Sequence, residues 1–144
     1  MDRLTKERRS WNMSRIRGKD TSPERAVRSL LHRLGFRFRL HQRSLPGTPD
    51  IVLSRYRTAI FVHGCFWHRH KNCRFAYSPK SRRAFWTAKF RNNQQRDARS
   101  LSQLESAGWH VLIVWECELR CTDQLSKRLQ AALVRRDSAV KREG

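Results

Sequence analysis

The sequence predicts an α/β domain, a mixed sheet with helices packed on it. Three observations predict this class. An amphipathic helical stripe near the start is followed by three short extended runs. A long polar helix separates these from a fourth, strongly apolar run. A last amphipathic helix follows, giving the order helix, three strands, helix, strand, helix.

Each element has its own signal. Residues 1–20 are basic and weakly patterned and read as an arm that orders on a partner; Trp11 and Met13 are unusual there. Thr21-Ser22-Pro23-Glu24 starts a helix, with a hydroxyl cap, a first-turn proline and an acid at the positive helix end. Val27, Leu30, Leu31 and Leu34 form its apolar stripe, and Gly35 ends it. Phe36, Phe38 and Leu40 alternate with arginines as a half-buried strand. A Pro/Gly-rich loop, 44–49, leads to Asp50 and the run Ile51-Val52-Leu53. Ser54 to Arg57 turns the chain, and Thr58 to His63 runs back. A polar helix is expected over about 81–106, closed by Gly108. Trp109 to Trp115, the most apolar run, is expected at the centre of the sheet. Thr122 caps a last helix with Leu125, Leu129 and Leu133 on one face. The domain is expected over 21–136, between the arm at 1–20 and a polar tail at 137–144.

The charge narrows the partner. Lys plus Arg is 32 against 12 Asp plus Glu, a net charge of +20 spread along 144 residues. A polyanion is the partner such a surface selects, and the predominance of arginine suits phosphate. No apolar run is long enough to span a membrane, and the N-terminus lacks the apolar core of a signal peptide. An intracellular protein is expected, so the four cysteines point to metal ligation rather than disulfides.

The segment His63–Cys73, HGCFWHRHKNC, holds three of the six histidines and two of the four cysteines. Cys65, His70 and Cys73 have the spacing C-x4-H-x2-C, which suits tetrahedral zinc. Cys117, just past the apolar run, is a natural fourth ligand, and Cys121 is its rival. Such a site would clip the loop to a distant strand. His63 and His68 stay outside this set.

Asp50 opens a strand where an apolar residue is expected. With a four-residue turn at 54–57, Leu53 faces Thr58 and Asp50 faces Phe61, so Asp50, Phe61 and His63 share one face. Phosphodiester cleavage needs such a combination. A carboxylate holds Mg2+, an imidazole moves a proton near neutral pH, and cations stabilise the developing charge. Phe66 and Trp67 lie between the zinc ligands and are expected to project from the loop as wedges into a base stack. Trp86, among Arg82, Arg83, Lys89 and Arg91, is either a second wedge or a core residue.

The strings SLPGTPDIVL, AIFVHGCFWHRH, FWTAKFRNNQQRD and GWHVLIVWEC carry a resemblance over about residues 8–134. The chain resembles the very short patch repair (Vsr) mismatch endonucleases. The resemblance implies a restriction-endonuclease-like fold and a nick 5′ of the thymine in a T·G mismatch, the product of 5-methylcytosine deamination. It implies Asp50 and the Val62 carbonyl as Mg2+ ligands, His63 and His68 as catalytic histidines, and Glu24 and Asp97 as supporting acids, with Asp97 orienting a histidine. It further implies Cys65, His70, Cys73 and Cys117 as structural zinc ligands and Phe66, Trp67 and Trp86 as intercalating aromatics. Double-stranded mismatched DNA is the implied partner, clasped by the arm from the minor groove. The implied protein is a monomer of the bacterial cytoplasm, at the nucleoid, assisted by mismatch-repair proteins. Where the wider superfamily carries Glu-x-Lys, this chain reads Phe61-Val62-His63, so His63 stands where the lysine would be, which fits the Vsr subgroup and not the general class. Two departures stand out. Arg69, Lys71 and Asn72 occupy the tail of the metal segment, which bears on the choice of His70 over His68 as ligand, and the arm carries Trp11, to which the resemblance gives no role.

Two other readings fit parts of the pattern. A non-enzymatic, zinc-stabilised DNA-binding module explains the charge, the cysteines and the aromatics but not Asp50 with His63 and His68. A nuclease with another target, a junction or a matched site, explains all of them.

Overall fold

The computed structural model describes residues 21–143, with side chains described as far as Asp137. The expected arm at 1–20 lies outside the described residues. Helix α1, Ser22–Arg33, begins at Thr21, whose side chain accepts from the Glu24 N–H at 3.4 Å, with Pro23 in the first turn. It ends where Gly35, at φ +88°, lets its own N–H reach His32 O and the Phe36 N–H reach Leu31 O. That cap occupies Phe36, and the first strand, β1, is only Arg39–Leu40 instead of the whole Phe36–Leu40 run. Phe36 and Phe38 pack against the core instead.

Strand β2, Ile51–Leu53, and β3, Thr58–His63, form a hairpin through a 3-10 turn at Ser54–Tyr56. Its register, Leu53 with Thr58 and Ile51 with Ile60, is the one the turn length predicts. Helix α2, Arg83–Ser106, crosses to β4, His110–Trp115, which pairs parallel to β3. A 3-10 turn at Glu116–Arg120 leads into α3, Thr122–Glu143, so the helix runs on through most of the stretch read as a tail.

The sheet order is β1-β2-β3-β4, antiparallel except for the last pair. The expectation that Trp109–Trp115 is central is therefore corrected: among the described residues it forms an edge strand. Its apolarity has another cause. Leu112 and Val114 face the core with Leu125, Leu129 and Leu133 of α3, while Val111 and Ile113 face the opposite side beneath α2. A parallel strand covered on both faces reads as a continuous apolar run wherever it lies in the sheet.

Alternation along the strands sorts the rest. Val27, Leu30 and Leu31 of α1 pack with Ile51, Leu53 and Ile60 in the core. The other face carries Phe61 and His63 and opens into a cleft beside α2. Gly47 presses the 44–49 loop onto that helix: at φ +74°, a Cβ there would lie 2.5 Å from Ser100 Oγ. Together with the neighbouring Thr48, held at φ +46°, this tight passage sets where Asp50 enters β2.

Candidate active site and metal-binding cluster

The cleft encloses about 1040 Å³ between the start of α1, the β2–β3 hairpin and α2. Asp50 lies at the hairpin's open end. Its Oδ2 accepts from the Val62 N–H at 2.7 Å, which anchors the carboxylate beyond the last ladder pair. Burial pushes the Asp50 carboxyl up to about 6; the Val62 hydrogen bond opposes this, and the Glu24 charge adds to it. Glu24, nearly buried, ion-pairs with Arg28 at 3.2 Å, and His41 Nε2 lies 3.0 Å from Arg28 and 3.6 Å from Glu24. One ligand atom each from Glu24, His41 and Asp50 falls within 4.8 Å of the others.

Across the cleft, His68 Nδ1 lies 2.6 Å from Asp97 Oδ2 on α2. Burial alone would raise the Asp97 carboxyl, but the His68 hydrogen bond, reinforced by the neighbouring His68 and Arg96 charges, outweighs it and holds Asp97 low. An ionised Asp97 only accepts, so Nδ1 of His68 donates and Nε2 is left for chemistry. The His63 ring lies 3.7 Å from that of His68, at 4° to it. Burial, reinforced by His68, drives His63 down to about 3, so it is neutral near pH 7.

On the far side of Trp115 a second group gathers. Ligand atoms of Cys65, His70, Cys73 and Cys117 lie within 4.8 Å of one another, with His70 Nδ1 3.4 Å from Cys117 Sγ. Three thiols and one imidazole at that spacing fit the corners of a tetrahedral zinc site. Cys117, in the turn after β4, joins the group, whereas Cys121 is exposed outside it. His70 faces the thiols while His68 faces Asp97, so the two histidines serve different groups. Burial holds the Cys65 thiol up at about 12. A bound cation would reverse that by favouring the thiolate.

Phe66 and Trp67 are half-buried rather than projecting freely. The metal loop does not cover them; α2 does. Phe66 meets Trp67, Tyr77, Trp86 and Phe90 at 4.9–5.3 Å, and Trp86 meets Trp67 at 5.7 Å. Asn93 donates to the Trp67 carbonyl at 3.1 Å, fixing the loop to α2. The Arg69 guanidinium donates to the carbonyls of Phe66, Ala76 and Tyr77 and lies 4.1 Å over Phe90.

His41, Arg69 and Asn93 are the residues that sequence reasoning passes over. His41 had a faint signal, a histidine ending a strand before the Pro/Gly-rich loop. Arg69 and Asn93 had none, since each acts through carbonyls that only the fold brings near.

The sheet topology, with a carboxylate at the hairpin's open end, places the protein among the restriction-endonuclease-like nucleases. Comparisons narrow the class. The family described as DNA mismatch endonuclease Vsr matches residues 1–74, and the chain belongs to that family. It is 52% identical over 132 residues to a type II nicking enzyme, V.XorIIP, of Xanthomonas oryzae pv. oryzae, covering 92% of this chain and 96% of that one. It is 47% identical over 121 residues to the DNA mismatch endonuclease Vsr of Escherichia coli K12, covering 84% of this chain and 77% of that one. Among solved structures it is similar to the catalytic domain of the homing endonuclease I-Bth0305I. The TM-score is 0.59 at 25% identity, with 81% of this chain and 98% of that chain covered. No helix among the described residues is long and apolar enough to cross a membrane.

Proposed function

We propose that this protein is a strand-specific mismatch endonuclease that nicks DNA 5′ of the thymine in a T·G pair, acting as a monomer at the bacterial nucleoid. The observation that carries the reading is the His68–Asp97 pair at 2.6 Å, with His63 stacked on His68 and Asp50 lining the same cleft. A zinc-stabilised binding module has no need of that arrangement. Likeness to the Escherichia coli mismatch endonuclease supports the substrate.

Asp50 and the Val62 carbonyl would hold Mg2+ against the scissile phosphate. Hard oxygen donors and a carboxylate short of positive charge suit that ion. Bound there, Mg2+ supplies phosphate polarisation and a more acidic water. The chain's residues do the rest. Asp97 keeps Nδ1 of His68 protonated, so Nε2 accepts a proton from the attacking water or, once protonated, returns one to the leaving oxygen. His63, neutral, presents a second nitrogen beside it. Glu24 and His41 back Asp50 electrostatically, and Arg25, Lys89 and Arg96 line the cleft where phosphate charge develops. Zinc at Cys65, His70, Cys73 and Cys117 would make the intervening loop rigid. That loop would drive Phe66 and Trp67, with Trp86 beside them, into the stack at the mismatch. A T·G pair is easier to unstack than a matched one, which favours insertion at the lesion.

The test is a labelled duplex with one T·G pair and its matched control, each incubated with protein and Mg2+. A single nick 5′ of the thymine, with the control intact, is expected. Binding without a nick would leave the binding module. Equal cutting of both duplexes would leave a nuclease with another target.

A further inference from the structure

Trp115 joins the two metal-binding groups. Its ring stacks on His70 at 4.1 Å and 9°, and meets His63 edge-on at 5.3 Å and 74°. It pairs directly with His63 in the sheet, and Cys117 follows two residues later. Its backbone is fixed as well. The Trp115 N–H donates to Glu118 Oε1 at 3.0 Å, and Glu118 is held by Arg128 at 2.9 Å.

His63 lacks the usual means of holding an imidazole. A working histidine generally has its second ring nitrogen bound to a carboxylate or carbonyl. His63 is buried, yet its Nδ1 has no hydrogen-bond partner among the described residues. Rings hold it instead: His68 covers one face, Phe61 lies tilted at 5.9 Å, and Trp115 meets it edge-on. Of these, His68 belongs to the reacting pair and is itself steered by Asp97.

We propose that Trp115 is the positioning residue for His63, transmitting the rigidity of the Cys/His cluster to the catalytic histidine pair through His70. The cluster then does more than shape the aromatic wedge: it orients the imidazole across one indole ring. The inference rests on the proposed catalytic role of His63.

A double-mutant cycle tests it. Trp115→Leu, Trp115→Phe, His63→Ala and the Trp115→Leu/His63→Ala double variant are compared by zinc content, affinity for the T·G duplex and single-turnover nicking rate with Mg2+. Trp115→Leu should keep one zinc and bind DNA within about twofold, yet nick about 100-fold more slowly, the scale of a small misplacement of a reacting group. Trp115→Phe, which keeps a ring in place, should recover most of that loss. In the His63→Ala background, Trp115→Leu should cost less than about threefold. Independently of activity, the ring signals of His63 in NMR should shift in Trp115→Leu, because the neighbouring indole is gone.

An equal loss in both backgrounds overturns the proposal. So does a Trp115→Leu variant that nicks at the wild-type rate, or one whose loss follows its zinc content with Trp115→Phe failing alike. If His63→Ala itself nicks at full rate, the role given to His63 fails first. If His63→Ala is slow and the two losses simply add, only the role given to Trp115 fails.

Discussion

The two sides of Trp115 are built from opposite chemistry. Toward Cys117 stand three thiols and an imidazole, gathered closely by a loop that Arg69 and Asn93 fasten. Toward Asp50 stand carboxylates and imidazoles around an open cleft, several of them with displaced pKa values. A closed, soft ligand set suits a structural ion, and an open, hard one suits an ion that must also meet a substrate. A single segment, His63–Cys73, supplies residues to both. The turn after β3 does the sorting: His63, at the strand's end, stacks on His68 in the cleft, whereas Cys65 and His70 join the thiol group. Proximity in sequence therefore says little about which group a histidine serves.

The largest effects should separate the two sides. Asp50→Ala should lower the nicking rate by about 10³-fold or more while DNA affinity stays within a few-fold, as expected where one carboxylate anchors the ion. Full activity in that variant would defeat the mechanism. Stripping the Cys/His cluster should do the reverse in kind. Cys73→Ser, or chelation strong enough to remove zinc, should lower the melting temperature by about 10 °C or more. Removing Mg2+ alone should abolish nicking while lowering the melting temperature less than loss of zinc does. Differential scanning calorimetry beside the nicking assay checks both; a melting temperature indifferent to Cys73 would mean that the cluster holds no structural ion. Within the cleft, His68→Ala should cost about 10²-fold to 10³-fold, and Asp97→Asn less, about 10-fold to 100-fold, because the imidazole remains but its tautomer is no longer imposed. Equal losses would make Asp97 a direct participant instead of an orienting group.

Much of this was legible beforehand, and the exceptions share a cause. The hairpin register followed from a turn length and a period of two, both local. The grouping of Cys65, His70 and Cys73 followed from spacing; the favoured fourth member, Cys117, joins them across the sheet, while its rival Cys121 lies exposed outside the group after the turn at Glu116–Arg120. The place of β4 was misread because apolarity reports how many faces are covered, not how many neighbouring strands exist. The half-burial of Phe66 and Trp67 depends on α2, some twenty residues further along, and no local pattern records that packing. The Glu24–Arg28–His41 network around Asp50 was invisible for the same reason, although Glu24 alone was legible as a helix-start acid.

The smallest effect concerns stability and tests whether the cleft is electrostatically unfinished without its cation. The folded Asp50 carboxyl sits at about 6, above the ordinary 3.8. The folded chain therefore holds more protons than the unfolded chain between those values. The contribution of Asp50 to stability is fully present below pH 4 and is lost as pH rises through 6. Asp50→Asn keeps an acceptor for the Val62 N–H and removes the charge. In metal-free buffer it should match wild type near pH 4 and exceed it by about 1–2 kcal/mol at pH 7.5, measured by urea unfolding. Added Mg2+ should raise wild type toward the variant and leave the variant unmoved. A wild type more stable than Asp50→Asn at pH 7.5 without metal would mean that Asp50 already has its full complement of positive charge. The contrast with the Cys/His cluster would then be one of ligand softness alone.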